Sequence, residues 1–434
     1  MRDTRISIGM TALLAAVATF LLVTTALATA QTETVLYALG SSPTFTYGDN
    51  PTSSVTFDSA GNLYGTTPGG GRYVDAYGTM FELTPSSGGT WTPKVLADFG
   101  VSSGAPNGGV IFDGAGNLYG VTVGGGAYQG GVVYELSPHE GGGWTEKWLH
   151  QFGQGTDGSA AVGNLAFDSA GNLYGVTVQG GTYGLGTVYE LIPQEGGLWT
   201  EKVLHNFSGS GADGATPEAG VIFDSAGNLY GTTLSGGANQ YHTEGSYAGT
   251  VFELMRTGGE WMEKILYSFP QSKYDATGPF ASVVFDAAGN LYGTTSSGGQ
   301  YFSNGTVFEL SPNAEGAWTE TILYSFGRDS SDGAAPYGNL IIDSAGSLYG
   351  TTSQGGKYGC LCSFVGGTVF KLTPGSGGTW TERILHDFGN GGDGNFPLDG
   401  LAMDASGDLY GTTRLGGIAG DGGTGPGTVF EVSK

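Results

Sequence analysis

"QTETVLYALG", residues 31–40, is the stretch that decides the fold. Set beside "WTETILYSFG" at 318–327 it is identical at six of ten positions, so it is one strand of an internal repeat with no repeat in front of it. The phrase "FDSAGNLYGTT" at 57–67 shows what that repeat is. It returns in seven versions, whose aspartates stand at 58, 113, 168, 224, 286, 343 and 404. The steps between them are 55, 55, 56, 62, 57 and 61 residues, longer than solenoid periods and within reach of propeller blades.

Each unit reads as four strands. An apolar run such as "GVIF" leads through Asp-Ser-Ala-Gly-Asn into "LYGTT", and Gly61 and its equivalents supply the positive φ that a tight, bulged hairpin requires. "GTVFELTP" then alternates with period two, and a glycine-rich turn leads to Trp and a fourth β-rich run, "TEKVLHNF". No stretch keeps a helical period. The unit that starts at Met403 has "GTVFEV" but no Trp-Thr-Glu strand after it, and residues 31–40 are that strand. The expected fold is therefore all-β: a seven-bladed β-propeller with four strands per blade, closed by the N-terminal strand completing the last blade. Closure removes the unpaired edges an open ring would expose.

Arg2 and Arg5 precede an apolar run from Ile6 to Val23, and the segment closes on Ala28-Thr29-Ala30, a small-x-small cleavage pattern. The expectation is a signal peptide over 1–30 and a single propeller domain over 31–434. The protein is then secreted, extracellular or periplasmic, with no membrane span after cleavage. The net charge of −24 would repel nucleic acid and anionic lipid. Charged residues are 12% of the chain against roughly 25% in ordinary soluble proteins, and Gly is 84 of 434. Aromatic residues, also 12%, and strict periodicity argue for a packed fold rather than disorder, and a monomer is expected.

The chain resembles the GloVer-type tandem-repeat family of exported bacterial proteins through "FDSAGNLYGTT", "GTVFELTP" and "WTEKVLH", across essentially the whole sequence after the leader. The resemblance implies an exported repeat protein and brings no catalytic residues with it.

Comparison of the repeats with one another separates scaffold from variation. The Asp-to-Tyr hairpin always spans 6 residues, and the Leu-to-Trp turn spans 8 in five units and 7 in the fourth. From the Tyr of "LYG" to the Gly of "GTV" the step runs 14, 12, 12, 19, 13, 18 and 17. In an up-and-down sheet these loops share one rim with the connections between blades, and varied loops on a rigid scaffold tend to carry binding. That rim has tyrosines after Gly-Gly: Tyr73, Tyr128, Tyr183, Tyr241, Tyr301 and Tyr358, either stacking platforms for sugar rings or a partner, or side chains packed over the next blade. The fourth-unit loop adds His242, Glu244 and Tyr247.

Asp157, Asp213, Asp332 and Asp393 precede Gly between blades, either as turn residues or as a ring of acids that could hold Ca²⁺ at a channel mouth. No other cofactor or metal is expected. His150, His205 and His386 share a column in the fourth strand and read as packing positions, too far apart to share a metal. Cys360 and Cys362 either pair in a bent loop, stay free, or bridge to another chain. With no nucleophile elbow and no His-Glu-x-x-His, the reading is a non-catalytic module for extracellular glycan or a surface protein. The alternative is an extracellular carbohydrate-active lyase or hydrolase working on the variable face.

Overall fold

The computed structural model describes residues 31–40, 46–73, 75–238, 249–269, 275–301, 303–359, 365–417 and 425–433. The leader, Tyr241, His242, Glu244, Tyr247, Cys360 and Cys362 lie outside the described residues. Among the described residues there are seven four-stranded antiparallel sheets, one per repeat, and they form a seven-bladed β-propeller. Blade 1 runs from the inner strand Thr56–Phe57 through Leu63–Thr67 and Ala76–Pro85 to the outer strand Trp91–Gly100.

Blade 7 is composite. Its order is Ala402–Met403, Leu409–Thr413, Thr428–Ser433 and then Thr32–Ala38. Thr32 pairs with Ser433 and Val35 with Phe430, after which the register slips so that Tyr37 faces Val429 and Leu36 is left over. The same slip sits at the same place in blade 5, where Phe308 pairs with Ile322 and Val307 with Tyr324. The N-terminal strand thus reproduces even the bulge of its internal counterparts.

Why one phrase recurs in every blade follows from its two roles. Within the hairpin, Asp286 Oδ1 accepts from the N–H groups of Ala288 (2.8 Å) and Asn290 (2.9 Å). Its Oδ2 accepts from Asn290 Nδ2 (2.9 Å) and the Tyr292 hydroxyl (3.2 Å). Burial pulls this carboxyl upward, but the four hydrogen bonds outweigh it and hold the group below the usual carboxylate range. Between blades, the Tyr of "LYG" meets the Phe of the next hairpin edge-on, as in Tyr64–Phe112 at 5.1 Å and Tyr230–Phe285 at 4.9 Å between ring centroids. The hydrophobic core therefore lies between blades. Its clusters join residues of neighbouring units, such as Tyr230 and Val251 with Leu291, Phe308 and Leu310.

Glycine is required where the third strand's aromatic ring crosses the second strand. A Cβ on Gly65 would stand 2.6 Å from Phe81 Cζ, so no side chain fits there. In five blades a threonine then ties the second strand to the next inner connection: Thr232 Oγ1 donates to Ala281 O at 2.8 Å and Thr351 Oγ1 to Asp399 O at 2.8 Å. Across the joint, Thr412 Oγ1 donates to Ser53 O at 2.9 Å. "YGVT" in blades 2 and 3 places Val121 and Val176 where the other blades have this threonine.

Replacing Asp286 with Ala should cost about 2 kcal/mol, since a charge-assisted acceptor shared by three backbone and side-chain N–H donors and a hydroxyl is lost at once. Urea denaturation of the variant checks this, with an unchanged m-value expected.

Candidate functional site

The tyrosines that follow Gly-Gly stand one to a blade, in the loops between the second and third strands. Tyr73, Tyr128, Tyr183 and Tyr358 are exposed on separate blades, with Tyr73 at 70% accessibility. Tyr301 is half-buried in a shallow cleft with Gln300, Tyr324 and Arg328.

What does converge is the mouth of the central channel on the same rim. A cavity of about 560 Å³ is lined there by Thr52, Asn107, Glu218, Phe280, Tyr337 and Leu398. These six residues occupy one column of the repeat, each directly following a proline and standing five residues before the first residue of its hairpin phrase. Blade 3 has Ala161 and Val162 at the two positions. All seven residues of the column differ while the hairpin beside them barely changes. Variation in identity within this column, rather than in loop length, is the sequence signal that locates the mouth.

The chain enters this column through a constrained backbone. Asn50, Ala160, Thr216, Ala335 and Phe396, immediately before the proline or Ala161, have φ of 53°, 58°, 53°, 52° and 59°. A residue before proline ordinarily takes an extended conformation, and a left-handed β-branched Thr216 is costly. The strain is held by bonds to the preceding blade's variable loop: Thr216 N–H donates to Leu185 O (2.9 Å), Ala335 N–H to Asn304 O (2.8 Å) and Phe396 N–H to Gly366 O (2.9 Å). The variable loops therefore aim the residues at the mouth, the pattern of strain stored at functional sites.

Chemically the mouth is two-sided. Phe280 and Tyr337 form an edge-to-face pair, 4.8 Å between centroids at 65°. Around them stand Asn107, Asn164, Asn339, Thr52 and Arg414. Asn164 Oδ1 accepts from Gly109 N and Asn339 Oδ1 from Ser282 N, both at 2.7 Å, which fixes the amides and leaves their NH₂ groups free of that bond. Asp399 Oδ2 accepts from Ser54 N (2.8 Å) and its Oδ1 from Gly400 N (2.6 Å), and burial pushes this carboxyl up despite both bonds. Burial alone lifts Glu218 to about 7.

The acids between blades lie elsewhere. Asp157, Asp213, Asp332 and Asp393 bond their own turns, as in Asp332 with Arg328 N (2.9 Å) and Gly333 N (2.8 Å). They also stand beside the outer strands, not around the channel, because they occupy the outer end of each connection. Asp157 lies 3.1 Å from His150 Nε2, Asp213 3.2 Å from His205 Nε2, and Asp393 3.4 Å from His386 Nε2. The three imidazoles do pack, edge-on to Phe152, Phe207 and Phe388, and they sit at three separate seams. What the sequence reading missed is the Glu of the next blade's outer strand, which joins the seam: Glu263 opposite His205, and Glu320 opposite Tyr267.

No described helix is long and apolar enough to cross a membrane. No curated protein matches the sequence. Among solved structures the fold is similar to PorZ, a bacterial surface component of the type-IX secretion system of Porphyromonas gingivalis. The match has 15% identity and a TM-score of 0.52 over 90% of this chain and 48% of that one, so the chain spans about half of PorZ. It is also similar to the extracellular domain of a putative hybrid two-component system from B. thetaiotaomicron (10% identity, TM-score 0.50, 92% of this chain, 39% of that one). A third match is a hypothetical selenium-binding protein from Sulfolobus tokodaii (12% identity, TM-score 0.50, 76% of each chain). At these identities the likeness is one of fold. Two successive stretches, residues 21–244 and 241–434, match the Gloeobacter/Verrucomicrobia repeat, and since together they take in every blade, the chain belongs to that repeat family.

Proposed function

We propose that the protein is an exported, non-catalytic binding module that seats a glycan at the channel mouth. The observation that carries this reading is the mouth column, where an otherwise repeated scaffold sets six different side chains, from six of the seven blades, around one cavity. A sugar ring asks for an apolar face and hydroxyl partners together. Phe280 and Tyr337 supply the first, and the asparagine amides, Thr52 and Glu218 supply the second. The leader and the acidic, lysine-poor composition support export.

A second reading, a carbohydrate-active hydrolase or lyase, is favoured by Glu218. A carboxyl that titrates near 7 holds its proton at the pH where a general acid must deliver one.

The test is a glycan-array and polysaccharide pull-down screen of the purified chain, with reducing ends and unsaturated products assayed on whatever binds. On the captured glycan, the double variant Phe280→Ala/Tyr337→Ala should weaken affinity at least about 10-fold, while the exposed rim variant Tyr183→Ala should not. Loss of binding in the rim variant alone would move the site to the tyrosines. Turnover abolished by Glu218→Gln would promote the enzyme reading.

A further inference from the structure

We propose that the seam between blades 3 and 4 holds a divalent transition-metal ion, of the zinc type, on His205, Asp213 and Glu263. The site is independent of the channel mouth. One nitrogen and two carboxylate oxygens from two blades lie within 4.8 Å of one another. His205 Nε2 is 3.2 Å from Asp213 Oδ1 and 3.6 Å from Glu263 Oε1. Ligands about 2.0–2.1 Å from a tetrahedral Zn²⁺ are about 3.3–3.4 Å apart, so both distances bracket the edge of such a site.

The second shell is built. Asp213 Oδ2 accepts from Ser208 N (2.7 Å) and Ser208 Oγ (2.6 Å), which turns Oδ1 toward the imidazole. The His205 ring is fixed edge-on against Phe207, 4.8 Å between centroids. Glu263 Oε1 is the buried oxygen that faces Nε2; Glu201 and Glu33 leave an equivalent Oε1 at the other histidine seams, but among the described residues only here do all three ligand atoms lie within 4.8 Å of one another. A single N–H on Nε2 cannot satisfy both carboxylates, whereas a dication satisfies all three atoms and balances two negative charges. A histidine in the set disfavours Ca²⁺, which takes six to eight oxygens.

The tyrosine seams show the same scaffold solved without an ion. The Tyr267 hydroxyl stands 3.1 Å from Asp275 Oδ2 and 3.1 Å from Glu320 Oε2, and because burial keeps a proton on the Glu320 carboxyl the seam holds two protons for its two acids and has no nitrogen ligand. His205→Tyr should therefore convert the seam to the form native to blade 4 while removing the nitrogen ligand.

The experiment is calorimetric titration of the chelator-stripped chain with Zn²⁺ alone at pH 7.5. One site per chain with micromolar or tighter Kd is expected, with a rise in Tm on saturation. His205→Tyr and Glu263→Gln should each weaken that site at least about 100-fold, and Ser208→Ala about 10-fold, with His150→Ala unchanged. Circular dichroism of His205→Tyr should match the parent, so lost binding is not lost fold. Absence of a site tighter than about 100 µM, or a site that survives both His205→Tyr and Glu263→Gln, overturns the assignment.

Discussion

Deleting residues 31–40 should lower Tm by roughly 10 °C or leave a chain that associates with itself. The segment supplies the outer strand of blade 7 and pairs along Thr428–Ser433, so its loss leaves that strand as a bare edge. It also buries Leu39 completely, a side chain worth about 2 kcal/mol, and packs Leu36 and Tyr37 into the cluster that holds Phe81 and Val429. Moving the segment to follow residue 433 through a glycine-rich turn of the length used in the other blades should restore the parent's Tm. A deletion that melts like the parent, or a permuted chain that gains nothing, would refute closure as the stabilising device.

The second large effect is on pH. Burial, the leading cause in every case, lifts Glu33, Glu201 and Glu382 to about 7 and Glu320 to about 9. Glu201 faces Asp157 and His150, Glu33 faces His386 and Asp393, and Glu382 faces Asp332 and Arg328. Glu320 faces Asp275 and Tyr267. Each folded value lies above the unfolded one near 4.5, so the folded state binds these protons more tightly. Their contribution is complete below about 4.5 and is lost as pH rises through 7 and then 9. The hairpin aspartates act in the opposite sense: Asp58, Asp113, Asp168, Asp286 and Asp343 are lowered, so their contribution is lost as pH falls below their usual range. Stability should therefore peak near pH 5 and fall on the alkaline side, on the order of 5 °C in Tm between pH 5 and 8.5 in the presence of a chelator. Glu320→Gln, which cannot ionise, should flatten the alkaline limb, and a Tm that climbs from pH 5 to 8.5 would refute the account.

The ring was legible because its signals are local and repeated. Asp, Gly and Tyr at fixed spacing specify a hairpin seven times over, five of them with Asn as well, and residues 31–40 match a known strand of the same chain. The mouth was harder to read because it is assembled from residues such as Thr52, Glu218 and Tyr337, each one unremarkable in its own blade. They share a column but no chemistry, so a search for a recurring motif passes over them. The seams hid for another reason. His205 and Glu263 belong to different repeats, and only the packing of one outer strand on the next puts 3.6 Å between them. The small ladders on the variable rim, such as Gly214–Ala215 with Ser235–Gly236, carry no alternation to betray them.

The composite blade also sets a clock. Ser433 Oγ donates to Thr32 O at 3.1 Å, a bond between residues 401 positions apart. The strand Thr32–Ala38 is among the first parts of the ring to be synthesised and the last to find its partner, since Thr428–Ser433 must exist before it can pair. Every chain that stops short of residue 428 is left with an unclosed ring and a dangling first strand. Closure of the ring therefore waits on Thr428–Ser433, and a chain that stops short of them exposes two unpaired strand edges.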